Sequence, residues 1–339
     1  MTDSSTTPPP PQASDRIPLA GSDVAIPPLG VGTWAWGDKG TWGMGGYDSS
    51  YSEETILSAW QACLEAGIVL FDTAEVYGGG ESERIIGRLL AQDPTARAKV
   101  TIATKFMPSP WKLNVTSALV SAARASLARL GIEYIDLYQI HGPISLRNHD
   151  ALADALAAAH SEGLVKAVGV SNYSVKETRS MDAALRKRGL RLASNQIEFS
   201  LLRTMPEQVG LLDCCRQLGV VPLAYSPIGQ GRLTGKYSAA NPVPGKRTFS
   251  DHPMAAVDKV VAELHRVGKV HGDRTPSQVA LAWIIAKGAV PIPGAKNRDQ
   301  AEQNAGALGW RMDDDDLAAL DAVALYGKRG IAQRFWQHG

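Results

Sequence analysis

Four residues able to move a proton fall just beyond, or at the end of, three successive apolar segments. Asp72 and Tyr77 follow residues 68–71, Lys105 closes 99–105, and His141 follows 134–140. A phenol titrates near about 10, so Tyr77 donates poorly at neutral pH unless its phenolate is stabilised. A lysine ammonium a few ångströms away would do that, and a buried carboxylate would keep the ammonium charged and aimed. Tyr77, Lys105 and Asp72 carry the groups for this relay. His141 has a ring that can donate to a carbonyl oxygen or tune Tyr77. Each residue alone also has a plainer reading: a packed tyrosine, a structural Asp–Lys pair, a loop or core histidine. Their joint position on consecutive segment ends favours the chemical reading of the set.

Other chemistries have less support. His141, Asp72 and Glu75 are conceivable metal ligands, but the chain has no HxH, HExxH or Cys/His cluster, so no metal is expected. Gly78, Gly79 and Gly80 do not make the GxGxxG of a dinucleotide fold; they let the chain turn after Tyr77. Ser171 and Ser226 lack the GxSxG elbow of a hydrolase. A lyase or isomerase with Lys105 as Schiff-base nucleophile is a further alternative, weakened because Asp72 would hold the lysine cationic.

The elements that must position these groups alternate along the chain. Strand-like segments fall at 28–33, 68–71, 99–105, 134–140, 165–170, 192–195, 220–224 and 289–291. Helix-like segments fall at 52–66, 81–90, 113–130, 151–160, 175–188, 207–218, 255–270, 277–287, 299–305 and 314–324, with an irregular stretch at 225–250 and a loop-like tail. Eight short strands without polar/apolar alternation suit a parallel sheet covered by helices. The expected fold is α/β, a (β/α)8 TIM barrel in a single domain over 20–339; a doubly wound open sheet is the alternative. Polar residues cluster just past the strands, at Asp72, Lys105, His141, Ser171, Gln196 and Tyr225, the rim where such a barrel builds its site.

A formal net charge of +1 with no local run of Lys and Arg gives no phosphate-tracking surface, so neither nucleic acid nor an acidic membrane is an expected partner. No stretch of 18 apolar residues encodes a span. Cys63, Cys214 and Cys215 form no disulfide framework, which fits a reducing, cytoplasmic location. Residues 1–19, with Pro8 to Pro11 and Arg16 as their only basic side chain, read as a disordered leader and not as a signal peptide.

Six phrases in order resemble the aldo/keto reductase family, over about Leu29 to Asn304. They are FDTAEVYG at 71–78, TIATKF at 101–106, DLYQIHG at 136–142, VGVSNY at 168–173, SNQIEFS at 194–200 and LAYSPIGQGRLTGKY at 223–237. The long-loop form is similar to the branch holding potassium-channel β-subunits, pyridoxal reductases and bacterial general stress reductases. The resemblance implies Asp72, Tyr77, Lys105 and His141 as a catalytic tetrad. It implies Ser171, Asn172 and Gln196 on the nicotinamide carboxamide and Tyr225 against the ring, with Thr33 and Trp34 also in cofactor contact. Ser226, Pro227, Ile228, Gly229, Leu233 and Lys236 would follow the pyrophosphate. Gly294, Ala295, Lys296, Gln300, Gln303 and Asn304 would hold the adenosine end.

That end departs from the family pattern. Gly294 stands where many members have lysine, Gln300 where many have arginine and Gln303 where most have glutamate. Lys296 keeps a cation nearby, so NADPH is the expected cofactor and NADH a weaker alternative; Arg298 is the next candidate for the 2′-phosphate. The expected partner is a small-molecule carbonyl compound, an aldehyde or ketone of apolar character, against Trp34, Trp42, Met107 and Trp111. A cofactor-binding regulatory or structural subunit with little turnover is the alternative function.

Overall fold

The structure is a computed structural model that describes residues 9–37, 52–243, 249–250 and 252–339. Its strands are β1 (Ile17–Pro18), β2 (Ala25–Ile26), β3 (Gly30–Gly32), β4 (Leu70–Asp72), β5 (Thr101–Phe106), β6 (Ile135–Ile140), β7 (Val165–Ser171), β8 (Leu192–Glu198), β9 (Val221–Tyr225) and β10 (Val290–Pro291). Strands β3 to β10 form one sheet in chain order, every neighbouring pair parallel. The first and last strands meet where Gly32 bridges Gly294 and the Gly32 amide donates to Pro293 at 3.0 Å. A side chain at Gly32 would lie 2.8 Å from the Ile292 carbonyl oxygen, so the seam requires glycine. This closure makes the sheet a (β/α)8 barrel and excludes the open doubly wound alternative.

Local signals place the outer helices. Helix Glu53–Glu65 starts on a reciprocal Ser52–Thr55 capping box, and Val115–Leu130 starts on Asn114 and stops at Gly131, which takes φ 65°. Every residue of β5 and β6 is buried, because helices cover one face and the barrel interior the other. The region expected as one helix over 207–218 is two, Met205–Gln208 and Leu211–Leu218, parted at Gly210 with φ 77°.

Inward-facing residues alternate along each strand, giving Ala103 then Lys105, Leu137 then Gln139, and Ala167 then Gly169. The lower layer is apolar, and Leu19 and Ile26 pack against Leu70, Ala103, Leu137 and Leu223 there. The antiparallel β1–β2 pair thus plugs the bottom of the barrel. This corrects the boundary of the expected leader: of 1–19, the later part is structured, with Leu19 buried, while residues 1–8 lie outside the described residues.

The upper layer is polar and needs space. An added side chain at Gly169 would lie 2.1 Å from Ser194 Oγ and 3.0 Å from Gln139 Cγ, two groups bonded to each other inside the barrel. Gly169→Ala is expected to destabilise the fold by about 1–3 kcal/mol through overpacking, measured by urea unfolding. Wild-type stability would show that the two neighbours can move aside.

Candidate active site

Lys105, fully buried, is the centre of the site. Its ammonium donates to Asp72 Oδ1, to the Thr73 carbonyl at 2.8 Å and to Tyr77 Oη at 3.2 Å. The other Asp72 oxygen accepts from Gln139 Nε2 at 3.1 Å and Gln196 Nε2 at 2.8 Å. The carboxylate is therefore held from β5, β6 and β8 at once. Burial alone would lower the Lys105 pKa, but the Asp72 charge and the hydrogen bonds carry it above the usual lysine value. This is a fixed cation, not a nucleophilic amine.

Tyr77 opens a short turn over Tyr77–Gly80, whose Gly78 takes φ 58° and could not carry a side chain, which would fall 2.5 Å from the Gly37 oxygen. Burial raises the Tyr77 pKa above 10.0, and the Lys105 charge offsets this only in part. The phenol is thus protonated across neutral pH. The His141 ring meets Tyr77 edge-on at 5.7 Å between centroids. Burial, then the Lys105 charge, holds its pKa well below the ordinary histidine value, so the imidazole is neutral. Its Nδ1 is buried and has no partner among the described residues.

Tyr77 and His141 sit in a cleft of about 1510 Å³ at the C-terminal mouth. Ligand pockets usually measure roughly 300–1,000 Å³, so this larger cleft has room for a dinucleotide together with a small substrate. One wall is a hydrogen-bond chain. Tyr225 Oη donates to Asn172 Oδ1 at 2.9 Å, Asn172 Nδ2 to Ser171 Oγ at 3.1 Å, and Ser171 Oγ to the Gln196 carbonyl at 3.0 Å. Asn172, Ser226 and Gln230 line the same cleft with φ of 63°, 50° and 55°. Left-handed backbone is costly for side-chain-bearing residues and gathers where a ligand approaches the main chain.

The other end of the cleft fits a phosphate. Helix Arg298–Ala305 begins there behind its cap Asn297, so backbone N–H groups and the positive end of the helix face the ligand space. Lys296 lines it, and its backbone amide donates to Gln300 Oε1 at 3.0 Å. Gln303 and Asn304 line it as well, and Lys236 stands exposed on the rim. Arg298 does not line the cleft: Glu65 and Glu302 hold its guanidinium on the outer surface.

Most of the residues expected from sequence line this cleft, among them Asp72, Tyr77, His141, Ser171, Asn172, Gln196 and Tyr225. Ser226, Pro227, Ile228, Gly294, Trp34 and Met107 line it too. Others support it from behind. Thr33 is buried with its hydroxyl on the Asp72 carbonyl and on Ser82, and the Ala295 carbonyl accepts from the Trp36 indole. Gly229 and Leu233 belong to the buried turn beneath the loop. Trp111 is 78% exposed and is not among the described residues that line this cleft. Trp42 lies outside the described residues.

Sequence reasoning passed over several residues that line or hold the site. Gln139, within DLYQIHG, braces Asp72 from inside the barrel. Phe249 stands at the centre of an aromatic group with Trp34, Tyr225 and Trp336, at centroid distances of 6.2, 5.6 and 6.0 Å. The tail, expected to be a loop, returns to the mouth, with Phe335 and Trp336 on the cleft and Gln337 fully buried. No periodic pattern in 325–339 signals that return.

A model of the aldo/keto reductase family matches residues 28–325. The chain is 37% identical over 325 residues to the chloroplastic pyridoxal reductase of Arabidopsis thaliana, covering 93% of this chain and 87% of that protein. It is 33% identical over 324 residues to the 6-dehydroglucose reductase of Novosphingobium aromaticivorans, covering 92% and 95%. Among solved structures, the glycerol dehydrogenase of Gluconobacter oxydans superposes with a TM-score of 0.77 at 27% identity, covering 94% of this chain and 99% of that one. No helix among the described residues is long and apolar enough to cross a membrane.

Proposed function

Because the chain belongs to the aldo/keto reductase family, we propose that it reduces an aldehyde or ketone to the alcohol with NADPH, using Tyr77 as the proton donor. The observation that carries this reading is the Lys105 ammonium fixed between Asp72 and the Tyr77 hydroxyl at the floor of the cleft. NADPH, when bound, supplies the hydride. In this reading Ser171, Asn172 and Gln196 would orient the carboxamide end, Tyr225 would lie against the ring, and Lys296 with the adjoining helix N-terminus would hold the phosphate.

The substrate carbonyl oxygen takes its place between Tyr77 and His141. As negative charge grows on that oxygen, the phenol is already protonated and donates to it. An alkoxide is a stronger base than a phenolate, so the proton moves downhill even from a tyrosine of raised pKa. Lys105 then stabilises the phenolate left behind, and Asp72, braced by Gln139 and Gln196, keeps Lys105 in place. Neutral His141 contributes a ring hydrogen bond and no competing positive charge. Trp34, Met107, Phe249 and Trp336 make the substrate end apolar and aromatic. Consumption of NADPH and of NADH by the purified protein with aldehydes, ketones and pyridoxal tests the reading.

Cofactor choice rests on Lys296. Lys296→Met is expected to weaken NADPH binding about ten- to a hundredfold and NADH binding far less, as loss of one charge-assisted contact predicts. Fluorescence titration with both cofactors checks this. Equal weakening of the two would remove Lys296 from the 2′-phosphate, and the engaged Arg298 would not be its replacement.

A further inference from the structure

The tail carries a group that no step above uses. Gln337 is fully buried, and its Nε2 lies 2.6 Å from Glu198 Oε2 and 2.7 Å from Tyr225 Oη. Glu198 is itself buried, accepts from Ser250 Oγ at 2.5 Å and pairs with buried Arg203 at 3.6 Å. A carboxylate only accepts, so the amide nitrogen must face it. The Tyr225 hydroxyl, receiving from that nitrogen, is left to donate onward to Asn172 Oδ1. This turns the Asn172 amide nitrogen toward Ser171, whose hydroxyl donates to the Gln196 backbone carbonyl, where the relay ends. The donor order along one whole wall of the cleft thus begins at Gln337. Its own Oε1 is buried without a partner among the described residues, an unfavourable arrangement for an amide with only a packing role.

We propose that Gln337 is a positioning residue: by donating to both Glu198 and Tyr225 it locks the Tyr225 ring and the Asn172 amide in the orientation that receives the nicotinamide. The inference rests on the reading of Tyr225 and Asn172 as the nicotinamide subsite. It makes the tail part of the cofactor site, through residues 112 and 139 positions away in the chain.

Other contacts seat the tail independently, which makes the role testable. The His338 and Gly339 amides donate to the Asn172 carbonyl at 3.0 Å, His338 meets Glu177 at 2.8 Å, and Arg329 holds the Gln337 carbonyl at 2.5 Å. Gln337→Met keeps the volume and removes the donor. It is expected to raise the Kd for NADPH about tenfold and slow the single-turnover rate at saturating cofactor, while the aldehyde KM and the rate of trypsin cleavage after Arg334 stay near wild type.

Gln337→Glu keeps the shape and reverses the donor. The side chain at 337 meets Glu198 and Tyr225; the nearby cations are Arg203 on Glu198, Arg329 on the Gln337 backbone carbonyl and Arg232 on the Ser250 carbonyl. The affinity of Gln337→Glu for NADPH is expected to fall further than that of Gln337→Met at about pH 9 and to recover toward about pH 6, as the new carboxyl regains a proton to donate. Unchanged Kd and single-turnover rate in Gln337→Met overturn the proposal. So does weak binding accompanied by rapid cleavage after Arg334, which would assign the effect to an unseated tail. A wild-type protein that binds neither NADPH nor NADH overturns the functional reading itself, and this inference with it.

Discussion

Tyr77→Phe is expected to lower kcat for aldehyde reduction by at least about 100-fold, in line with loss of a positioned general acid. The change removes one oxygen from a half-buried ring and nothing that packs the barrel. Lys105 keeps Asp72 and the Thr73 carbonyl as acceptors, so no buried cation is stranded. NADPH affinity, measured separately by fluorescence, should therefore stay near wild type. Because burial holds the Tyr77 pKa above 10.0, the protonated form needed for reduction persists through the neutral range. Wild-type kcat should fall only on the alkaline side of that value, so a fall centred near neutral pH would assign the essential acid elsewhere.

Lys105→Met is expected to cut kcat by about 100-fold or more, for a different reason. The phenol remains, but the charge that stabilises the developing phenolate is gone. The Lys105 charge lowers the Tyr77 pKa, so its loss moves that pKa further up and the alkaline limb of the kcat profile to higher pH. The sign distinguishes this substitution from a general loss of folded protein, which would scale the profile without moving it. A stability cost accompanies it, because the Asp72 carboxylate keeps only its Gln139 and Gln196 donors in a buried place. Breaking a buried ion pair on one side costs roughly 3–5 kcal/mol. Unfolding in urea should report a loss in that range, and kinetics should be taken where the variant is fully folded. An alkaline limb in the wild-type position would show that Lys105 does not act on Tyr77.

What sequence made legible was local in origin. Lys105 and Gln139 follow Ala103 and Leu137 by two residues, so strand periodicity alone carries them to one interior layer near the rim. Asp72 ends its strand, and the glycines after Tyr77 mark the turn that brings the phenol back over Lys105. Contacts created by tertiary folding were not legible. Proline- and serine-rich composition concealed that Leu19 and Ile26 close the barrel floor. Trp111 looked like a pocket wall from its place after the lysine strand, yet it is exposed and is not among the described residues that line the cleft. Gln337 reaches Tyr225 and Glu198 across 112 and 139 positions of the chain, and Phe249 joins Trp34 at 6.2 Å between ring centroids. Neither leaves a periodic trace, since each is fixed by where the barrel puts its partners. The split of 207–218 at Gly210 was visible in composition, but a single glycine is compatible with either an intact or a broken helix.

The central claim is that the group held by Tyr77, Lys105 and Asp72 serves hydride transfer to a carbonyl carbon. It is tested most directly by following the label from NADPH deuterated at both C4 positions, with the wild-type protein and an aromatic aldehyde that it turns over. The expected product is an alcohol with one deuterium on the former carbonyl carbon, formed in step with NADPH loss, while Tyr77→Phe binds the cofactor and forms almost none. NADPH bound by the wild-type protein with no labelled alcohol from any aldehyde or ketone, or an alcohol whose new carbon-bound hydrogen comes from solvent, would contradict the account.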